Sequence, residues 1–517
     1  MFKILKIMNK KEELGLIELF KSFPKPYWFA SIFELLERYA WYGLFGILGL
    51  YLTNELGMSS VERSEIQSYV TAILYLLPII TGAIADKIGY KITLAISYVI
   101  LMTGYYFMGK VTSYWAVFSV FLYVAIGAAM FKPVASAIVT KTTNKQNSSF
   151  GFGLFYMMVN IGGFFGPLLV GILRNHFGWK SVFISSTTAI LLNLIILMFF
   201  KEPEREKIEE SAAETIKRSL NNIWIALKDI RLTILLFIMI GFWLMFNQLF
   251  FTLPNFIDDW INTQKVYGVL HSIWPWLAEQ MKNNAGGINP EHMVNFDAFF
   301  ISVLQIAVSY IILKWKPINA MMTGIFITII GIGVSFMTNN DLYTFLGILI
   351  FAIGEMTSNP KFSDYIAQIS PKGKEALYMG TYFLPIAFAN LLSKWISGDL
   401  YQSKSDKLTF LFKHIKDKGI EIIDPVQNKL VTYTSEGIQL VNNSGEILKD
   451  KPSIKREEVI QQAAEKLHLT TEQLQNMLWN TYHPEKIWYY MAAIGILTFI
   501  GLLIYNNTIG KTKKNNL

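Results

Sequence analysis

Glu34, Glu37 and Arg38 stand inside the first long apolar segment of the chain, between Trp28–Phe33 and a run from Trp41 to Leu52. On insertion scales, a charge at membrane depth costs roughly 2.5–3.5 kcal/mol per group. A chain carries that cost when the charges pair, face water or do work. Glu34 precedes Glu37 by three residues and Arg38 by four, so a helix puts all three on one face. That face is expected to point into a helix bundle, not into lipid. Lys132 and Glu355 are further charges within apolar runs. Buried carboxylates and cations of this kind can bind groups of opposite charge, and can exchange protons as their partners change.

The elements that must position them are membrane helices. The chain has 517 residues, 52% hydrophobic and 16% charged. A soluble chain of this length would carry more charge and divide into several domains. Apolar stretches of roughly 17–25 residues recur instead, enough to cross about 30 Å of hydrocarbon. Twelve spans are expected, near residues 28–52, 66–86, 90–110, 114–138, 150–172, 181–200, 233–256, 298–314, 319–338, 343–366, 376–398 and 486–507. The charged stretch Lys201–Arg231 divides them six and six. Its periodic Ile208, Ile216, Leu220 and Ile223 suggest an interfacial helix. The expectation is an all-α membrane protein with an N-terminal six-helix bundle (1–200) and a linker helix (201–232). Helices 7–11 (233–399), an insertion (400–485), and helix 12 with the tail (486–517) follow.

The insertion reads as a small α+β subdomain. Gly437–Val441 and Glu446–Leu448 form a plausible strand pair around Asn442-Asn443-Ser444-Gly445. Two short helices follow, one near Lys455–Leu467 with Ser453 as its cap, the next begun by the capping box Thr470-x-x-Gln473. Lysines in alternate short loops (Lys87, Lys91, Lys141, Lys145, Lys314, Lys316, Lys372, Lys374) put both termini in the cytoplasm, with the insertion on the outer face. The start, Met1 to Lys25, lacks the features of a signal peptide, and Ile4–Phe20 fits a surface amphipathic helix.

The chain has no cysteine, which excludes disulfides and thiolate metal sites. The net charge of +8 fits anionic lipid headgroups, and no nucleic-acid module is present. The histidines have no metal-ligand spacing, and there is no nucleophile–base pair or cofactor loop. No metal, cofactor or enzyme activity is expected.

Gly82-Ala83-Ile84-Ala85-Asp86-Lys87-Ile88-Gly89-Tyr90-Lys91 joins spans two and three. The pattern G-x-x-x-D-K-x-G-x-K resembles the signature of the major facilitator superfamily. That resemblance implies two six-helix halves around a site alternately open to each side, and a gating role for Asp86. Further motifs narrow it. Glu34-x-x-Glu37-Arg38 with Tyr39-Ala40-Trp41-Tyr42-Gly43 resembles helix 1 of the proton-dependent oligopeptide transporters. Phe131-Lys132-Pro133 resembles their helix 4, and Phe155-Tyr156-Met157-Met158-Val159-Asn160-Ile161-Gly162 their helix 5. Phe242-Trp243 with Gln248 is similar to helix 7. Gly354-Glu355 with Pro360, then Pro371 and Met379-Gly380-Thr381, resemble helices 10 and 11. Residues 400–485 fall outside the resemblance.

The resemblance implies a symporter that imports di- and tripeptides with protons across the cytoplasmic membrane. Its partners are then small peptides, protons and membrane lipid, and a monomer is expected. Glu355 takes the peptide amino terminus. Lys132 with Glu34, Glu37 and Arg38 takes the carboxylate and couples protons. Tyr42, Asn160 and Tyr69 bond the peptide, Asn247 joins the substrate-contacting set, and Trp395 lines a side-chain pocket. Electrically, a peptide carboxylate competing for Lys132 or Arg38 releases Glu37 or Glu34 to take a proton. Neutral charge balance then permits the rocking step.

Three positions depart from the family pattern. Asn247 stands where helix 7 usually has a titratable glutamate, Phe45 where bacterial members carry arginine, and Trp41 where tyrosine is usual. The link after span six has no room for two extra helices. These changes leave open another small zwitterion or anion as substrate, coupled or not, and an interaction protein working through the insertion. Structural readings also stand: Glu34 and Arg38 as an intrahelical pair, Lys132 snorkelling to an interface, Asn160 as packing glue.

Overall fold

The computed structural model describes residues 20–143, 147–203, 212–312, 315–371, 378–442, 444–448, 450 and 452–509. Most of the expected Ile4–Phe20 helix, Ile208, Asn443, Lys145, Lys314, Lys372 and Lys374 lie outside that set, as does the side chain of Asp86.

The first half contains α1 (Lys25–Leu50), which a π-helical turn continues over Tyr51–Glu55, then α2 (Ser60–Leu76), α3 (Pro78–Ile88), α4 (Tyr90–Met108), α5 (Tyr114–Thr142), α6 (Ser148–Phe177) and α7 (Trp179–Phe199). Next come α8 (Ala212–Leu227), α9 (Ile230–Phe251), α10 (Leu253–Trp260), α11 (Gln264–Ile273), α12 (Pro275–Met281), α13 (Pro290–Ile312), α14 (Pro317–Ser335) and α15 (Asp341–Ile369). After α16 (Leu384–Lys394) and a π-helical stretch, Trp395–Leu400, the chain enters the insertion. Its elements are α17 (Tyr401–Lys404), α18 (Lys407–Lys416), β1 (Ile422–Asp424), β2 (Lys429–Thr434), β3 (Gly437–Val441), α19 (Arg456–Lys466) and α20 (Thr471–Tyr482). A 3-10 turn then leads into α21 (Ile487–Asn507).

Local chemistry sets the boundaries. Ser59 and Glu62 cap α2 reciprocally. Pro78 breaks α2 from α3, because it cannot supply the next helical N–H. Gly89, at φ 105°, turns the chain between α3 and α4 in a conformation that a side chain would strain. On α4, Leu94, Tyr98, Leu101 and Tyr105 form a buried stripe, while the exposed Ile92, Ile96, Val99 and Phe107 are equally apolar. A helix apolar on both faces suits lipid.

Among the described residues, seven helices are long and apolar enough to cross a membrane by length and composition. The other expected spans, occupied by α1, α2–α3, α13, α14 and α16, are shorter, broken by proline or carry charge. Glu34, Glu37 and Arg38 alone remove α1 from a hydropathy window. On α8, Leu220, Trp224 and Ile225 are exposed, an apolar face that fits a membrane interface.

Side chains of the first half, among them Phe33, Ile47, Tyr98, Phe121, Phe131 and Ile190, share one core. A second core joins Leu235, Phe242, Phe351 and Trp488 to Leu408, Leu440, Val459 and Leu474 of the insertion. The insertion is therefore folded onto the C-terminal helices. Its sheet is an antiparallel meander, β1-β2-β3. The expected contact between Gly437–Val441 and Glu446–Leu448 is present as an antiparallel bridge, Val441 to Ile447, while β3 pairs along its length with β2, which the sequence reading did not name. The turn between them forms as expected, with Asn442 Oδ1 accepting from the N–H groups of Ser444 and Glu446. Helix α20 begins with the expected Thr470/Gln473 box. Ser453 does not cap α19. Its N–H donates to Asp424, and Glu458 accepts from the Lys455 N–H at the cap.

Asp424 is fully buried and accepts four backbone N–H bonds, from Val426, Gln427, Ser453 and Ile454, at 2.6–3.1 Å. Burial alone would raise its pKa; the four donors outweigh it and hold the carboxyl below its ordinary value. A folded value below the unfolded one stabilises above about pH 4 and is lost as pH falls through the folded value. Asp424→Ala is expected to cost roughly 2–4 kcal/mol, because it leaves buried donors unmet. Hydrogen exchange over residues 422–454 will read that loss at neutral pH. In the unmodified chain the same protection will survive mild acid and fail only in strong acid.

Candidate functional site

Helices α1 and α6 cross in direct contact because glycines line the seam. A Cβ on Gly162 would lie 2.7 Å from both the Leu35 carbonyl oxygen and the Arg38 Cβ; one on Gly166 would meet the Tyr39 oxygen at 2.7 Å. This contact gives the glycine of the helix-5 motif a physical reason and fixes the backbone that carries Arg38.

On that backbone, Glu34, Glu37 and Arg38 are all buried. Arg38 Nε donates to Glu37 Oε2 at 2.6 Å, and a second guanidinium nitrogen reaches the same oxygen. Glu34 Oε1 lies 3.4 Å from Arg38 Nε. The guanidinium sits 5.5 Å from the centre of the Tyr42 ring. Glu37 Oε1 is buried without a hydrogen-bond partner among the described residues. Two carboxylates thus share one arginine.

Lys132, on α5, lies within charge-interaction range of Glu34, Glu37 and Arg38. It forms no ion pair among the described residues. Its ammonium rests on aromatic faces instead, 5.0 Å from the Tyr75 ring centre and 5.6 Å from that of Phe383. These two rings stack on one another and join α2 to the turn before α16. A cation held by ring quadrupoles keeps its capacity to meet an incoming carboxylate.

The second half carries acid that no cation pairs with among the described residues. Glu355, on α15, is half-buried, and its Oε2 has no hydrogen-bond partner among the described residues. Asn359 lies beside it and accepts from the Tyr382 hydroxyl at 2.9 Å. Asp297, on α13, is buried, and its carboxylate interacts electrostatically with Glu355.

Contacts between the halves close the end that bears the insertion. Thr53 donates to Asn255 at 3.2 Å, Asn54 to Asp258 at 2.7 Å and Arg63 to the Ser397 carbonyl at 2.6 Å. Arg174 pairs with Glu291 at 2.8 Å. The insertion adds Ser59 to the Ser435 carbonyl at 2.5 Å, Ser60 to Asp406 at 2.7 Å and Lys455 to Glu55 at 3.0 Å. A narrow polar crevice sits in this closure, lined by residues that include Asn54, Arg63, Asn255, Asp258, Asp259 and Arg456.

The superfamily model for the Major Facilitator Superfamily matches residues 30–393. The chain belongs to the major facilitator superfamily. Among the relatives of this facilitator, dipeptide and tripeptide permease A of Citrobacter koseri is 25% identical over 453 residues, covering 75% of this chain and 87% of that protein. The namesake permease of Erwinia pyrifoliae is 29% identical over 203 residues, a match that spans 38% of this chain and 40% of that protein. Two solved structures share the fold. One is a peptide transporter in complex with sulfate, at TM-score 0.60 and 18% identity, covering 76% of this chain and 91% of that one. The other is a transporter of the same family in complex with 5-aminolevulinic acid, at TM-score 0.63 and 16% identity, covering 94% and 97%.

The facilitator fold brings Glu34, Glu37, Arg38, Tyr42 and Lys132 together. Asn160 is half-buried on α6, two residues before the Gly162 contact. Asn247 is buried on α9 and donates to Asn390 on α16 at 3.0 Å, an amide contact within the second half. Tyr69 is half-buried beside Tyr114. The tyrosine that touches Lys132 is Tyr75, further along α2. Trp395 opens the π-helical stretch and is 55% exposed.

Sequence reasoning missed Tyr75, Phe383 and Asp297. The two aromatics gave no signal, since they lie 57 and 251 residues from Lys132. Asp297 did give one: it is a lone carboxylate in the apolar run Met293–Leu304, the pattern that singled out Glu355. A span starting at residue 298 leaves it outside the membrane, whereas α13 starts at Pro290.

Proposed function

We propose that the chain is a proton-dependent oligopeptide transporter that imports di- and tripeptides by alternating access. The observation that carries this reading is the division of charge. The first half offers Arg38 and Lys132, the latter with no carboxylate of its own among the described residues, and the second half offers Glu355 with an unpaired oxygen. A zwitterionic peptide fits that polarity, with its carboxylate toward Lys132 and Arg38 and its ammonium toward Glu355. Tyr42 and Asn160 supply hydrogen bonds along it. The relatives named as dipeptide and tripeptide permeases support the substrate class.

The N-terminal bundle (1–200) and the C-terminal helices (233–399 and 486–517) rock about this site, linked through 201–232, with Asp86, in the last turn of α3, in a gating role. The insertion faces outward, both termini lie in the cytoplasm, and the transporter acts as a monomer in the inner membrane. Opening outward requires the Thr53–Asn255, Asn54–Asp258, Arg63–Ser397 and Arg174–Glu291 contacts to part. Peptide carboxylate drawing Arg38 or Lys132 away leaves Glu37 or Glu34 uncompensated in a low-dielectric interior, where proton uptake restores neutrality.

Glu37→Gln is the test of this coupling. It keeps the shape of the cluster and removes one titrating group. The variant is expected to retain exchange of labelled dipeptide across proteoliposomes but to lose accumulation driven by a proton gradient. Full accumulation by the variant contradicts the scheme. The related transporter solved with 5-aminolevulinic acid favours a second reading, transport of another small zwitterion. Competition of such compounds against a labelled dipeptide separates the two.

A further inference from the structure

The central charges of this chain do not balance. Glu34, Glu37, Asp297 and Glu355 bring four potential negative charges, and Arg38 and Lys132 bring two positive ones. Both cations lie on the first half. Among the described residues no cation pairs with the acid of the second half, whose two members lie on α13 and α15, helices that pack against each other through Phe300, Ile301, Leu304, Ala352, Ile353 and Met356.

The surroundings of Asp297 are specific. It is 3% exposed, and its Oδ1 has no hydrogen-bond partner among the described residues. Helix α13 packs against α15, α6, α10 and α1. From α15, the charged group that acts on it is Glu355. From α6, Arg174 is taken by Glu291 and Asn289 at the start of α13. From α10, Asp258 is tied to Asn54, and Asp259 to Arg456 and Tyr401. From α1, Glu34, Glu37 and Arg38 are engaged with one another. His292, on α13 itself, lies against Gly171. Among the described residues, then, no cation is placed to neutralise the Asp297–Glu355 pair.

We propose that Asp297 and Glu355 form a second proton-binding site, holding one proton between them and separate from the Glu34–Glu37–Arg38 cluster. Two carboxylates that interact in a low-dielectric interior disfavour the doubly ionised state. Such a pair takes and releases protons as a unit. With one proton the pair keeps a single negative charge, which matches a single substrate ammonium. The site supplies the titrating carboxyl that Asn247 lacks. It also stands beside a moving seam: Asn295, two residues from Asp297, donates to the Phe164 carbonyl on α6 at 2.8 Å, where the halves meet. Rocking that opens this seam gives the pair its path to solvent.

This inference rests on the transport reading only for its role, so the experiment has two arms. In the first, infrared difference spectra of the purified protein are recorded between acid and alkaline buffer, with aspartate carbon-13-labelled. A protonated-carboxyl C=O band that titrates, shifts with the label and disappears in Asp297→Asn but persists in Glu37→Gln is the expected result. Labelling the unmodified chain keeps this arm decisive if the variant folds poorly. A titrating band that does not shift with labelled aspartate overturns the proposal. In the second arm, the proton-to-dipeptide ratio is measured from the gradient at which flux reverses. It is expected to fall by one in Asp297→Asn; an unchanged ratio overturns the coupling role. If the unmodified protein moves no dipeptide, the transport reading fails while the infrared arm still decides the site.

Discussion

Glu355→Gln is expected to abolish dipeptide uptake. The glutamine has the size and shape of the glutamate, so packing around α15 is retained. What is lost is the negative charge proposed to meet the substrate ammonium. An ammonium left without a charged partner in a desolvated site forfeits about 3 kcal/mol or more. That corresponds to a fall of at least about 100-fold in kcat/KM. The thermal melt in detergent is expected to match that of the unmodified protein, because no hydrogen bond to Glu355 Oε2 is present among the described residues to be broken. Normal uptake by this variant contradicts the charge clamp. A variant that loses both uptake and stability points to a structural role for Glu355.

The second large effect is on stability. Arg38→Ala removes the one guanidinium shared by Glu34 and Glu37, which are both buried. Breaking a buried ion pair from one side typically costs about 3–5 kcal/mol, because the remaining charge is left uncompensated. Here two carboxylates lose their partner, and only Lys132, at longer range, remains. The variant is expected to melt well below the unmodified protein in detergent and to transport nothing. Adding Glu37→Gln to it removes one of the stranded charges, so the double variant will regain part of the stability without regaining transport. A double variant no more stable than Arg38→Ala alone would show that the loss comes from packing of the arginine stem against Tyr42 and α6, not from charge.

The parts of this site that were legible in the sequence are those in which a residue violates its local environment. Glu34, Glu37, Arg38, Lys132 and Glu355 are charges where hydrocarbon is expected, and a single chain suffices to show that. Asp297 breaks the same rule and differs only because Asn289–Pro290 starts its helix inside what reads as loop. Contacts across long separations left no such mark. Nothing near Lys132 in sequence announces that Tyr75 and Phe383 hold it, and Arg456 meets Asp259 across 197 residues. The insertion shows the same division. The Thr470/Gln473 cap is a local pattern and was readable. Strand β2 depends on β1 and β3 as neighbours, and the role of Ser453 depends on Asp424, 29 residues away.

The most direct test of the account is dipeptide accumulation by the purified protein in proteoliposomes under an inward proton gradient. The account predicts that labelled dipeptide concentrates inside above its external level and that a protonophore collapses this to simple equilibration. Uptake that proceeds equally with and without the gradient would contradict proton coupling, and the absence of any dipeptide flux would contradict the transport function itself.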